Sequence, residues 1–531
     1  MAFAVIWCFE LFWIQSITLL NAQSGGPQFD FWAPKIRLAL DLCFVTAICS
    51  LMRVRVLAVI AIASLLLNAP LAAYTNYSSR PLSMLTILST WREGLGMAPF
   101  LLAWVPLKTG SILIAAFAVK FGLLFSARGL RIPLRVRGSL GAAAVSAYLA
   151  LFAITLYLDP LSAILTRRGV ARLGIIRGYS GPWLAELYYL TDDRLLKYAI
   201  ERSQLTSDLL SPVEAAIPMH QKLVVIQIES LDYNVLGYRH HGKEVTPFLN
   251  QLRDHSLFYR THCYHYVGSA DADFTMLVGG APAQNVLNYN LSGFPYENTL
   301  PQFLGQYGFK TSAFHGNVGS FYNRRHAFDQ MGFERVFFRE DLEKVGTFEL
   351  DGLGLRDRDV MTFSSLLLRQ ATGPTCHFLI TLTSHTPYQF LKPHERLFNF
   401  NPRDPVERYF NHAHYVDTCL RDYINSLGKG VTVVLYADHA SEVGNADFTN
   451  SKKAIGEFIP VMIYDTDRNL ARLQQTRDSD VCRDGSLKML DISSYLRQQI
   501  KNSFKPDGSH STSSQSTRSN EPGADADRGK P

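Results

Sequence analysis

Four stretches of this sequence end an apolar run in residues that could do chemistry. The run at 223–228 leads into Glu229, and that at 311–314 into His315. The run at 378–382 leads into Thr383, Ser384 and His385, and that at 431–436 into Ala437, Asp438 and His439. Two carboxylates and one imidazole suit a hard-to-borderline divalent cation, so Glu229, Asp438 and His439 are a candidate site for manganese, magnesium or zinc. The run before Asp438 is apolar enough to be buried on both faces, so its polar end must be satisfied by something. A fifth stretch, GSADADF at 268–274, sets Ser269 at the start of a helical segment. There the backbone N–H groups and the helix dipole favour an anion such as phosphate. A nearby cation would depress the hydroxyl pKa, which makes Ser269 a candidate nucleophile. The same residue also reads as an N-cap, with Asp271 and Asp273 in the first turn; the two roles are compatible. His315, Arg324 and His385 are candidates for holding a phosphate or protonating a leaving group. Arg324 lies in FYNRR at 321–325, where a guanidinium could clamp phosphate bidentately. His262, His265, His412 and His414 read as surface or supporting residues.

The elements that must position these groups follow from the pattern around them. From about residue 220 apolar runs of strand length alternate with helical stretches at 246–253 and 300–307, which predicts an α/β layer fold with a largely parallel sheet flanked by helices. In such sheets ligands bind beyond the carboxyl ends of the strands, so the four strand-end groups should converge on one edge. A fifth strand is expected at 458–464.

The first part of the chain is different. Of 531 residues, 47% are hydrophobic and only 18% charged, and acidic residues are scarce before about 190. Apolar segments at about 1–21, 38–52, 56–74, 99–126 and 138–159 are read as five α-helical membrane spans, the first retained because it carries Glu10 and lacks a basic start. Arg53 and Arg55, and then Arg128, Arg131, Arg135 and Arg137, mark cytoplasmic loops. Lys35, Arg37, Arg167 and Arg168 oppose this rule without reversing it. Five spans then place everything after about 160 outside the cytoplasmic membrane. The expected organisation is a transmembrane domain at 1–160, an interfacial linker at 161–219, the α/β domain at 220–502 and a disordered tail at 503–531, whose Ser, Gly, Pro and Asp carry no apolar period. The net charge of +6 is spread out, without the basic-aromatic stripe that nucleic acid requires. Seven cysteines show no CxxC pair, which excludes a zinc knuckle and leaves disulfides and free thiols open.

Taken together, IESL at 228–231, EVTPFL at 244–249, SADADF at 269–274, FHGN at 314–317 with FYNR at 321–324, LTSHTP at 382–387 and YADH at 436–439 resemble the lipoteichoic acid synthases, of the alkaline phosphatase and sulfatase superfamily. The motifs fall in that family's order across about 222–465. The resemblance implies one divalent ion, typically manganese, on Glu229, Ser269, Asp438 and His439, with Ser269 as nucleophile. It implies that His315, Tyr322, Arg324 and His385 line a head-group pocket. It also implies a phosphatidylglycerol donor, a covalent glycerophosphoryl-enzyme, release of diacylglycerol, and an acceptor hydroxyl on an envelope glycan or glycerophosphate polymer. Two departures stand out: Ser269 replaces the usual threonine, and Tyr322 replaces the usual tryptophan. The stretch at 269–273 lacks the Pro and Arg of a sulfatase's formylglycine motif, which disfavours sulfate chemistry. The alternatives are a phosphoethanolamine transferase acting on lipid A or an envelope glycan, a phosphoester hydrolase of the same fold, and a non-catalytic scaffold.

Overall fold

The computed structural model describes residues 2–21, 27–78, 107–126, 133–158, 194–205, 219–398, 404–443, 458–467 and 488–505, apart from Asn285 and Glu442, with a few isolated positions between. The expected tail beyond 505, most of the linker and Cys482 lie outside these residues. Cys8, Cys43, Cys49, Cys376 and Cys419 are free.

The second half is built on a seven-stranded sheet. Its strands are β1 (Lys222–Ile228), β2 (Leu257–His262), β3 (Lys310–His315), β4 (Arg335–Phe337), β5 (Thr375–Ile380), β6 (Val431–Ala437) and β7 (Phe458–Asp465), in spatial order β2-β7-β6-β1-β5-β3-β4. β6, β1, β5, β3 and β4 run parallel, while β7 is antiparallel to both β6 and β2. The central strands are buried along their length because helices cover both faces, which is why they read as continuous apolar runs. The edge strands β2 and β4 were not expected. β2 alternates buried and half-buried residues, and β4 has only three residues, so neither gives an apolar run.

Helices form two packed groups. α7 (Pro247–Arg253), α11 (Asp357–Gln370) and α12 (Pro405–Ser426) pack together, as do α8 (Ala270–Val278), α9 (Leu300–Gly305) and α13 (Met489–Ser503). α10 (Arg324–Gln330) follows β3. From the segment expected to be an interfacial linker, helix α6 (Arg194–Ser203) packs instead on this domain. Its Ala199 is buried, and its Tyr198 hydroxyl accepts the Gln284 N–H at 3.3 Å.

The described helices of the first part include α1 (Ala2–Asn21), α2 (Pro27–Leu51), α3 (Val54–Ser78), α4 (Leu107–Ser126) and α5 (Leu134–Leu158). Among the described residues three helices are long and apolar enough to cross a membrane, at Arg55–Thr75, Leu107–Ser126 and Leu134–Thr155, and Ala2–Ile14 is a shorter apolar helix. Three of the five expected spans are thus seen among the described residues. α2 begins well before 38 and takes in Asp30, Lys35, Arg37 and Asp41. α1 packs against α2, α3 and α4. Inside this bundle Lys120 of α4 donates to Glu10 of α1 and to Ser64 of α3, both at 2.6 Å, and Asn68 of α3 donates to the same Glu10 oxygen at 3.0 Å. Lys120 and Glu10 are buried. In hydrocarbon such charges are tolerated only when paired.

Candidate active site

β1 delivers Glu229 to the carboxyl edge of the sheet, and the chain then turns sharply. Ser230 takes a left-handed backbone, φ 54°, which is uncommon for a residue other than glycine. Polar groups from three elements fix this turn. The Glu229 N–H donates to Thr381 Oγ1 at 2.9 Å, and Ser384 Oγ donates to the Glu229 carbonyl at 2.6 Å. The Tyr409 hydroxyl of α12 donates to the Ser230 carbonyl at 2.9 Å and accepts the Asp232 N–H at 3.0 Å. β6, beside β1 in parallel register, brings Asp438 and His439 to the same edge. Asp438 Oδ1 accepts the Ser230 and His439 N–H groups at 2.8 and 2.7 Å.

Ser269 joins them from the start of α8. Its backbone is helical, φ −53° and ψ −25°, and its side chain caps nothing. An N-cap needs an extended backbone to reach the following N–H groups. The hydroxyl instead donates to Glu229 Oε2 at 3.1 Å. The residues around it hold it there. Gln227 Nε2 donates to the Ser269 carbonyl at 3.3 Å and is itself fixed by the Tyr436 hydroxyl at 2.7 Å. Asp271 Oδ2 gathers the Tyr266 and Val267 N–H groups at 2.6 and 2.7 Å, shaping the loop before it. A Cβ on Gly268 would lie 2.2 Å from the Tyr322 hydroxyl oxygen, so glycine there lets the tyrosine ring rest against this loop. Tyr322 and Asn323 both have left-handed backbones, φ 55° each, and non-glycine residues hold such angles only where surrounding contacts impose them.

Donor atoms of Glu229, Asp438 and His439 lie within 4.8 Å of one another, and all three residues are buried. The His439 Nδ1–H donates to the Ala440 carbonyl at 2.7 Å, which turns Nε2 toward Glu229 Oε1 at 3.3 Å. Asp438 Oδ2 is buried and accepts no hydrogen bond among the described residues. Burial and the neighbouring Glu229 push the Asp438 carboxyl well above its usual range. Burial would raise Glu229 too, but His385 and His439 outweigh it and hold that carboxyl well below its usual range. Two carboxyl groups and an imidazole nitrogen thus face one small volume. The donor set and the orphaned Asp438 oxygen fit a divalent cation.

The expected pocket residues gather around this centre. The His315 Nδ1–H donates to the Ile380 carbonyl at 3.2 Å, and burial with Arg324 nearby pushes its pKa down to about 3, so the ring is neutral. The His385 Nδ1–H donates to the Thr386 carbonyl at 2.7 Å, leaving Nε2 available. Arg324, at the start of α10, lies over the Tyr322 ring at 5.2 Å and is 2% exposed. Its Nε donates to Asp273 Oδ2 at 2.7 Å, while its buried Nη2 has no partner. Asp273 therefore anchors the arginine, a partnership the motif spacing did not disclose. Of the four histidines read as surface or supporting, His265 stacks on His439 with ring centroids 4.1 Å apart. Buried His412 bonds backbone at Arg408 and Phe390. His414 bonds the Val245 carbonyl, and His262 ends the edge strand β2 against the Phe458 ring.

A sulfatase family model matches residues 221–481. This domain belongs to the sulfatase family. Lipoteichoic acid synthase from Staphylococcus saprophyticus is 28% identical over 262 residues, covering 47% of this chain and 40% of that protein. Lipoteichoic acid synthase 2 from Bacillus subtilis is 28% identical over 272 residues, covering 46% and 41%. The sulfatase-family domain is thus of the lipoteichoic acid synthase-like kind within the alkaline phosphatase superfamily, as its motifs implied. The matches span about two fifths of the length of these relatives. The integral membrane lipooligosaccharide phosphoethanolamine transferase A from Neisseria meningitidis has the same fold over 87% of this chain and 88% of its own, at 14% identity and a TM-score of 0.50. That likeness extends the shared fold from the sulfatase domain into the apolar helices, which anchor the chain in a membrane.

Proposed function

We propose that this chain is a metal-dependent phosphoglycerol transferase of the cytoplasmic membrane, with its sulfatase-like domain on the outer side. It moves glycerophosphate from phosphatidylglycerol to a hydroxyl of an envelope glycan or glycerophosphate polymer. The observation that carries this reading is the Ser269 hydroxyl, which turns away from its own helix to Glu229 at 3.1 Å, beside the electron-rich cluster. Glu229, Ser269, Asp438 and His439 would hold the divalent ion, with manganese the first candidate and magnesium and zinc the others. Such an ion supplies Lewis-acid polarisation and lowers the pKa of the serine hydroxyl.

The chain's own groups do the rest. Ser269 Oγ attacks phosphorus and forms a glycerophosphoryl ester, while the bond to the diacylglycerol oxygen breaks. The first N–H groups of α8 face the phosphoryl oxygens, where the helix dipole favours negative charge. Arg324 offers its unpartnered Nη2 to a phosphoryl oxygen, and Asp273 keeps it aimed. One of His315 and His385 takes the Ser269 proton on Nε2 as Oγ attacks and gives it to the diacylglycerol oxygen as that leaves; in the second step it takes the acceptor hydroxyl's proton and returns it to Ser269 Oγ. The acceptor oxygen then displaces Ser269 from phosphorus. Anchoring in the bilayer raises the local concentration of the lipid donor.

The test is mass spectrometry of the full-length protein after incubation with phosphatidylglycerol and manganese. A glycerophosphate adduct is expected on the Ser269 peptide, absent in Ser269→Ala. An ethanolamine-phosphate adduct from phosphatidylethanolamine alone would replace the glycerol assignment. No adduct from either lipid, with the metal bound, would overturn covalent transfer.

A further inference from the structure

A second cluster of metal-type donors lies apart from the proposed centre. Arg239–His240 and Lys243–Glu244 form a two-stranded hairpin closed by His241 and Gly242. Both turn residues have left-handed backbones, φ 47° and 77°. Glycine accepts this freely, whereas histidine does so at a cost. That conformation brings the His241 ring alongside the His240 ring, with centroids 4.0 Å apart. Both Nε2 atoms then point at one oxygen, Glu407 Oε1 in the first turn of α12, at 3.2 Å for His240 and 3.4 Å for His241. Their donor atoms all lie within 4.8 Å of one another. A tetrahedral ion with bonds of about 2.0–2.2 Å has ligand-to-ligand edges of about 3.3–3.5 Å. The measured separations of 3.2 and 3.4 Å lie just below that range and within it. His240 and Glu407 are 19% and 15% exposed in their side chains and His241 is 73% exposed, so the group is fixed on two sides and open on the third.

We propose that His240, His241 and Glu407 form a second metal site. It takes a borderline transition-metal ion such as zinc or cobalt and leaves one position to solvent. Two imidazoles and one carboxylate favour such ions over magnesium or manganese, which prefer oxygen. The ion would staple the hairpin to the first turn of α12. Two residues further on, Tyr409 braces the Ser230 turn behind Glu229, so the staple steadies the helix that holds the first centre in shape. This site does not depend on the proposed transferase activity.

The experiment titrates cobalt(II) into the full-length, chelator-stripped protein in detergent, reading bound metal per chain and tetrahedral cobalt absorption. Wild type is expected to bind two ions. His241→Ala and Asp438→Ala should each bind one, and the double variant none. Glu407→Gln keeps the shape of the turn and should weaken the second ion at least tenfold while leaving the first. If His241→Ala lost both ions through misfolding, Glu407→Gln would decide alone. Equal cobalt content in wild type and Glu407→Gln, with unchanged affinity, would overturn the proposal.

Discussion

Asp273→Asn isolates the anchoring of Arg324. The carboxylate and guanidinium meet at 2.7 Å with side chains 0% and 2% exposed, so neither has water to fall back on. Charge centres about 4 Å apart at an effective dielectric near 20 attract by about 4 kcal/mol. Removing one member of a buried pair costs about 3–5 kcal/mol, because the survivor stays desolvated and unpaired. For a domain of this size that corresponds to a fall in melting temperature of roughly 6–20 °C. The assay is thermal unfolding of the full-length protein in detergent, run beside the lipid transfer assay. Arg324→Met with Asp273→Leu fills the same volume without charge and should recover most of the stability, since apolar replacement of a buried ion pair is often neutral or better. It should recover no transfer, because the phosphate-facing Nη2 is gone. A fall below about 1 kcal/mol for Asp273→Asn would refute the anchoring argument. A double variant that transfers normally would refute the role given to Arg324.

Gly268→Ala should displace Tyr322, whose hydroxyl oxygen would lie 2.2 Å from the new Cβ, and lower transfer at least tenfold with the fold intact; Tyr322→Ala in the same chain should restore part of the loss, measured as a double-mutant cycle. His377, buried on β5 and bonded at Nδ1 to Ser364 Oγ at 2.9 Å, has its pKa pushed down to about 3 by burial, with Arg335 and Lys222 adding to it. The folded state therefore binds this proton more weakly than the unfolded state, so stability falls as pH drops from about 6.5 toward 3, by a few kcal/mol. His377→Asn should flatten that part of the acid-unfolding curve, followed by circular dichroism.

Much of this was readable because burial writes itself into sequence. β1, β5 and β6 are covered on both faces, so each is mostly apolar along its length, and the polar residues that follow need partners. That logic reached Glu229, Asp438 and His439 without structural help. It did not reach the Ser269 orientation, because serine before a helix suits a cap and a nucleophile alike until φ and ψ are known. Nor did it reach Asp273, whose place in a first turn looks like ordinary dipole compensation, although it is buried against an arginine some 50 positions on. Tyr409 carries no local signal at all. Its hydroxyl matters through a turn 177 residues earlier in the chain. The edge strands failed for the opposite reason: one exposed side breaks the apolar run that betrays a central strand. In the membrane half, α2 runs on from the apolar segment at 38–52 through Arg37, Lys35 and Asp30, a helical extension that a search for apolar runs alone does not show.

The Glu10–Lys120 pair has a consequence for how the protein is made. The carboxylate lies on α1 and its counter-charge on α4, 110 residues later. A ribosome releases them in that order. Until α4 emerges, α1 carries a carboxylate without its counter-charge, and Asn68 of α3 offers only a neutral partner. The first helix therefore cannot settle alone. Its buried contact with Lys120 forms only once a partner synthesised much later is present, so the packing of this helix bundle is completed by α4 rather than by α1.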